Sequence, residues 1–357
     1  MNLKPSVLHI IDSLNHGGAE KVTITLANLF FKKGHKVGIL YFFDTKQNII
    51  QELNSEIKIF KFNRGWKYNL LKKIGFEKLT KQYDLIHVHM KHNLRYVWFL
   101  SLFSTKTPKI FFHDHGFSNL NYFDLMITRA AVSKAIYIGV NDDLCETASQ
   151  NFRVKAPYLL SNTIYQVSPK KKNRRQNSKF RLVLVSNIHQ RKNILFALKY
   201  FFYLIKKDES CELDIIGKIR DKKYYQKCKN FCKSKGLTRK IKFIHDQKNA
   251  QELLSDYDMG LHFSGLETGP IVLIEYFAQG LPFLSYRTGQ VYIDSNALFP
   301  DFFINSYKIE KWVKRTMKIR TQISSKLSCD MKDYFQNQFS IKKYYKTCLS
   351  IYQKNLV

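Results

Sequence analysis

No apolar run in this sequence reaches the ~18 residues needed to span a bilayer, so a transmembrane helix is excluded from the reading. The opening residues, MNLKPSVLHIIDSLNHGG, also lack a signal peptide's features. The apolar run stops at Asp12, and no small-residue cleavage pattern follows. The expected place of work is the cytoplasm, in solution or resting on the inner face of a membrane. Cysteines are few and scattered (Cys145, Cys211, Cys228, Cys232, Cys329, Cys348), which points to reduced thiols rather than a disulfide framework. Cys228 and Cys232 have neither a second pair nor a histidine at zinc-ribbon spacing, so they read as plain thiols. Acidic charge is scarce as well: 28 Asp and Glu stand against 59 Lys and Arg, a formal charge of +31. Such an imbalance favours polyanions: an anionic leaflet, nucleic acid or phosphorylated substrates. A generally lysine-rich proteome would produce the same number.

What is present is a globular chain of two halves. With 357 residues and 45% hydrophobic content it exceeds one small core, and two domains of roughly 150–180 residues are the natural division. Val7 to Ile11 is a short apolar run of the kind buried in parallel sheets. A loop with Gly17, Gly18 and Glu20 follows, then a helix through Phe31 and a strand over 37–43. This βαβ unit puts a glycine-rich loop at the carboxyl end of a strand, where open α/β sheets bind ligands. Further strands are expected at 57–62, 84–89, 109–112, 135–140 and 158–162. In DLIHVH the period of two places His87 and His89 on one face. With His113 and His115 just past the next strand, four histidines at neighbouring strand ends suggest the rim of a pocket. The segment from Arg64 to Lys81 mixes Trp66, Tyr68, Leu70, Leu71, Ile74 and Phe76 with six basic residues. It reads either as a membrane-surface helix or as an ordinary crossover helix on the sheet.

SPKKKNRRQNSK, residues 168–179, is basic and aperiodic, as a linker is. The expected division is therefore a first domain over 1–167, that linker, a second domain over 180–335 and a terminal helix over 336–357. The second half restarts with a strand at 181–186, the loop NIHQRKN and a helix from Asn193. Asp256-Tyr257-Asp258 has the form of a metal-binding D-x-D, but here it closes a helix before a buried strand, where capping and strand entry explain it better. The central stretch is HFSGLETGPIVLIEYFAQGLPFLS, from His262 to Ser285. Pro270 suits a first helical position, and Gly280 suits the C-cap, so a helix is expected from Pro270 to about Gln279. Glu267 then stands in the loop before it and Glu275 on it. The amides of Gly269 and of Ile271 to Leu273 would face outward where an anion is favoured. Amides for a diphosphate and carboxylates for hydroxyls suit a sugar nucleotide.

The spacing E-x7-E, with GLETGP before it and EYFAQGLP around the second glutamate, resembles the donor site of family 4 glycosyltransferases. GGAEK after the first strand, a histidine after the strand at 109–112 and Lys192-Asn193 are similar to other parts of that family. The resemblance implies the α/β fold called GT-B: two Rossmann-like domains facing across a cleft, with a C-terminal helix crossing back to the first. It implies transfer of a sugar, with retention, from a nucleotide-diphosphate sugar to an acceptor. The acceptor expected is a lipid-linked saccharide in surface polysaccharide synthesis. Carried onto this chain, Glu267 would bind sugar hydroxyls near C3 and Glu275 the ribose. Thr268, Gly269, Pro270 and Ile271 would line sugar and phosphate, and Gly17, Gly18 and Glu20 would face phosphates and acceptor. Either His113 or His115 would lie over the donor sugar. The reading leans to His113, with His115 near the acceptor. Lys192 would neutralise the leaving diphosphate, making His113, Glu267 and Lys192 the catalytic set. Ser186 and Asn187 stand where the family has Gly and Arg, which leaves His189 or Arg191 to supply the second charge near Asn187.

No metal and no cofactor beyond the nucleotide sugar is expected. His113 and His115 with Asp114 have zinc-binding chemistry, but GT-B transfer generally uses no metal. Three other readings compete: a GT-B epimerase, an inactive GT-B scaffold, and a basic nucleic-acid-binding protein. The last is disfavoured because the aromatics sit in apolar runs rather than among the lysines.

Overall fold

A computed structural model describes all residues except 1–3, 16, 45–48, 64–72, 103, 105–106, 117–119, 169–178, 246, 248 and 357. The chain divides into two units, Met1–Ile164 with Ile341–Val357, and Tyr165–Ser340.

Unit 1 runs β1 (Val7–Ile11), α1 (Gly18–Lys32), β2 (Val37–Tyr41), β3 (Lys58–Lys61), α2 (Lys73–Thr80), β4 (Leu85–His89), α3 (Lys91–Ser101), β5 (Lys109–Asp114), α4 (Tyr122–Val132), β6 (Ala135–Gly139), α5 (Asp142–Phe152) and β7 (Tyr158–Leu159). These strands form one parallel sheet in the order β3-β2-β1-β4-β5-β6-β7. One face is apolar. Leu8, Ile10, Leu40, Ile86, Val88, Ile110 and Phe112 pack with Phe76, Leu94, Val97, Val132 and Ala148 from the helices. The opposite face carries His9, His87, His89, Phe111 and His113, all fully buried.

Unit 2 runs β8 (Phe180–Val185), α6 (Ile194–Ile205), β9 (Cys211–Ile216), α7 (Lys222–Ser234), β10 (Ile241–Ile244), β11 (Met259–His262), α8 (Ile271–Gln279), β12 (Phe283–Tyr286), α9 (Gly289–Ser295), β13 (Phe303–Ile304), α10 (Ile309–Gln322) and α11 (Ser325–Gln338). Its parallel sheet has the order β10-β9-β8-β11-β12-β13. A last helix, α12 (Ile341–Leu356), returns to unit 1 and packs on α1. Tyr352 of α12 is fully buried, with its ring 4.8 Å from Phe111 and 5.3 Å from Phe30. Burying an aromatic of that size is worth roughly 2 kcal/mol, enough to hold the helix against fraying. Tyr345, two turns earlier on α12, places its hydroxyl 2.8 Å from His35 Nε2.

Some expectations shift. β5 runs to Asp114, two residues past the expected end, so His113 lies within the strand rather than beyond it. Its ladder continues because His113 and Asp114 pair with Ile138 and Gly139 of β6. The helix that the Asp256-Tyr257-Asp258 triplet closes is a 3-10 helix, Ala250–Asp256. Of the basic segment, 64–72 lie outside the described residues. The rest forms α2, with Phe76 buried on the core and Ile74 exposed. The expected linker, apart from residues 168 and 179, also lies outside them. The D-x-D triplet knits unit 2 together: the Asp258 carboxylate accepts from Arg181 N at 2.8 Å, and Tyr257 donates to Asp214 at 2.7 Å. Among the described residues no helix is long and apolar enough to cross a membrane.

Candidate active site

In unit 2 the strand β11 ends at His262, and the next residues turn over the sheet's carboxyl edge. Phe263 is locked there by Trp312 of α10, ring to ring at 4.4 Å, both fully buried. Such a pair adds ~1 kcal/mol beyond its area. The loop after it is tied down by the backbone. Glu267 N donates to Thr288 Oγ1 at 2.9 Å, and Gln290 N donates to Thr268 O at 2.9 Å. Gly289 makes this possible. Its φ is +68°, and a side chain there would meet Pro270 Cδ at 2.8 Å and the Thr268 and Glu267 carbonyls at about 3 Å.

The loop holds Glu267 in an ion pair with Lys192, with His262 Nε2 at 3.8 Å. Burial would raise the Glu267 carboxyl. The His262 ring and the Lys192 ammonium outweigh it and hold the group far below the usual carboxylate range. His262 is itself pushed down by burial, against the pull of Glu267, and its Nδ1 lies 3.0 Å from Ser285 Oγ. Lys192 ends a 3-10 turn, Gln190–Lys192, before α6. Asn193 takes a left-handed conformation, φ 54°, between turn and helix, which asparagine tolerates better than most residues. The turn is fastened to the loop by Ser264 Oγ donating to Arg191 O at 3.3 Å.

Helix α8 starts at Ile271, with Pro270 as its N-cap and Gly280 closing it at φ 63°. Pro270 is therefore one place earlier than expected: its ψ of 106° is extended, not helical. The expected cradle is also smaller, because Leu273 N is spent on Pro270 O at 3.1 Å. Glu275 is 5% exposed and the Glu267 side chain 18%, so neither carboxylate is turned to bulk solvent. Asn187 is half-buried beside the turn and Arg191 is exposed. Burial, with Lys192 and Arg191 nearby, keeps His189 neutral.

In unit 1 the loop after β1 leads into α1 with Gly17 as N-cap, Gly18 at the first helical position and Glu20 at the third. The Glu20 carboxylate folds back so closely that a Cβ on Gly17 would lie 2.2 Å from it. A carboxylate at the helix start is favoured by the helix dipole. The four histidines expected at a pocket rim are not all at a rim. His87, His89 and His113 are fully enclosed: β5 runs on through His113, and Tyr352 lies against His87. His115 alone of these four stands past a strand end and is half-buried, its ring 4.3 Å from His113. Nearby, Asp114 is taken by Lys91 at 2.6 Å and by Tyr137 at 2.7 Å, so it is not a partner for His113 and His115 in holding zinc. Burial holds the rings uncharged, His9 and His115 down to about 3 and the others well below the usual histidine value.

Residues 168–325 match the family model described as "Glycosyl transferases group 1". That match covers most of unit 2, including Lys192, Glu267 and helix α8. No curated protein matches the chain. Among solved structures, this chain is similar to HepE of Anabaena in complex with UDP and glucose, at 15% identity and TM-score 0.81, covering 98% of this chain and 100% of that one. A glycosyltransferase from Rickettsia africae has 15% identity and TM-score 0.85, with 98% of each chain covered. The lipopolysaccharide outer core galactosyltransferase WaaB has 15% identity and TM-score 0.72, covering 97% and 99%. These likenesses establish the fold, which is GT-B.

Several residues that shape the candidate site carried no signal of their own in the sequence. Thr288 and Gly289 belong to the loop over 286–289, which only the family resemblance puts near a donor pocket, and Ser285 closes the central stretch. His262 opens the central stretch, but only the pairing of β11 with β12 shows that it meets Ser285. His9 sits in an apolar run, and its neighbours in space appear only once β1 pairs with β4.

Proposed function

We propose that the chain moves a sugar from a nucleoside diphosphate sugar to a saccharide acceptor with retention at the anomeric carbon. The observation that carries this is the group Lys192, Glu267 and His262 beside the start of α8. A fixed cation and helix amides suit a diphosphate, and buried carboxylates suit sugar hydroxyls. In the free enzyme Lys192 is paired with Glu267. As the donor enters, Lys192 turns to the diphosphate and Glu267 takes the sugar hydroxyls. Charge growing on the leaving diphosphate then meets an ammonium already in position, which lowers the barrier. Glu275 holds the ribose, Thr268, Gly269, Pro270 and Ile271 line the sugar and phosphate, and Arg191 supplies the second charge near Asn187. Because His113 is enclosed, His115 is the ring that meets the sugar, with His113 supporting it. Gly17, Gly18 and Glu20 serve the phosphates and acceptor.

HepE with bound UDP and glucose supports a UDP-sugar as the first donor to try. WaaB, a lipopolysaccharide transferase, supports a lipid-linked acceptor, and the charge of +31 supports work at an anionic membrane face. Calorimetry with UDP-sugars tests the site. Glu275→Ala and Lys192→Ala should weaken donor binding, while Glu267→Ala mainly lowers turnover. Equal donor affinity in all three and in the wild type would overturn the assignment. Product mass spectrometry, with the anomeric configuration read by NMR, tests transfer and retention. Free sugar without transfer product would favour an epimerase instead.

A further inference from the structure

We infer that His87, His89 and His113 form a binding site for one divalent transition-metal ion, built into the sheet of unit 1. Among the described residues, these three are the set of histidine, cysteine and carboxylate side chains whose ligand atoms converge, all within 4.8 Å of one another. The convergence follows from register. His9 pairs with His87 across β1 and β4, and His89 pairs with His113 across β4 and β5. Paired residues of parallel strands share a face, as do residues two apart on one strand. Four imidazoles therefore meet on one patch. All four are fully buried in a sheet face that would ordinarily be apolar.

The second observation is what the ring nitrogens do. His87 Nδ1 meets the Tyr352 hydroxyl, and His89 Nδ1 lies 2.9 Å from His115 Nε2. Metal-binding histidines are oriented in this way by a partner on the nitrogen that does not bind the metal. The nitrogens that remain are poorly served. His87 Nε2 and His9 Nε2 have no hydrogen bond of normal length, and His113 has none beyond a weaker contact with the Leu160 backbone. His89 Nε2 has only His9 Nδ1, at 3.2 Å. Buried lone pairs without a donor are rare, and a cation supplies what they lack. Drawing three nitrogens to ~2.1 Å from zinc needs them ~3.4 Å apart, a contraction that ring rotation provides. His9 or a water completes the fourth position. An imidazole set without a carboxylate selects zinc, cobalt, nickel or copper over magnesium and calcium. Asp114 is not a ligand, being held by Lys91 and Tyr137.

The test uses the full chain bearing a tag without histidine. After EDTA treatment and re-equilibration with Zn²⁺, the wild type should retain about one zinc per chain through gel filtration. Bound Co²⁺ should give the visible absorption of a tetrahedral nitrogen site. His113→Ala and the milder His89→Gln should each lose retention at least ~10-fold, with Cys228→Ser as a control that keeps it. A zinc-induced rise in melting temperature, absent with Mg²⁺, gives a readout on wild type alone should the variants fail to fold. Retention below ~0.1 zinc per chain with no melting shift would overturn the site, as would undiminished retention in folded His113→Ala.

Discussion

In unit 2 the ionised groups stand beyond the strand ends: Lys192 follows β8, and Glu267 follows β11. In unit 1 the titratable rings lie within β1, β4 and β5 themselves. Both sheets are parallel, yet one keeps polar chemistry at its edge and the other puts it in its face. The edge arrangement leaves the paired charges largely buried but still within reach of water, with the Lys192 side chain 26% and the Glu267 side chain 18% exposed, so they can change partners when a substrate arrives. The face arrangement removes them from water, where only fixed partners are tolerated. The proposed diphosphate contacts therefore lie on the edge arrangement of unit 2, and a static role suits the histidines buried within the sheet of unit 1.

The sharpest way to break this contrast is Lys192→Ala. It removes the cation and strands the Glu267 carboxylate, and kcat/KM should fall on the order of 10²–10³-fold. An effect under ~10-fold would mean that the edge charges are not catalytic. Glu267→Gln should come next, with turnover down about 10²-fold and a telling pH profile. Because the Glu267 carboxyl is depressed in the folded state, its contribution to stability is present above the unfolded value of about 4 and is lost as pH falls through the folded value. The wild type should thus out-melt Glu267→Gln at pH 7 and lose that lead below pH ~4. Equal melting at both pH values would show that the ion pair adds nothing.

Gly289→Ala should cost roughly 1–3 kcal/mol by denaturant melting, since it forces a side chain into a left-handed position already filled by Pro270. Turnover should drop with it, because the same turn carries Glu267. Tyr352→Phe in unit 1 should cost about 1 kcal/mol, as His87 loses its hydroxyl partner while packing is kept. Its donor affinity should not change. Smallest of all is Asp256→Ala. Arg181 uses the Asp256 carbonyl rather than its carboxylate, so turnover should be unaltered and stability within ~0.5 kcal/mol. Lost activity there would revive the D-x-D reading.

The site in unit 2 was legible because its signals are local. Pro270, Gly280 and the spacing of Glu267 and Glu275 all act within a single loop and helix. The reading was off by one residue at Pro270, because a proline with extended ψ caps a helix as readily as it begins one. It counted Leu273 among the outward amides, although the first turn folds that N–H back on Pro270. In unit 1 the period of two placed His87 and His89 on one face. It did not show that β5 would run on through His113, or that α12 would return to cover the rings.

Alternating apolar runs, glycine turns and helix-ending residues along the chain determined two parallel-sheet halves and a loop poised for an anion, since these depend on neighbours a few residues apart. The pairing of Lys192 with Glu267, the space that only Gly289 leaves for Pro270, and the gathering of His9, His87, His89 and His113 were decided by the folded chain. Each joins residues that meet only when separate strands line up in register, and burial then fixes which groups hold charge.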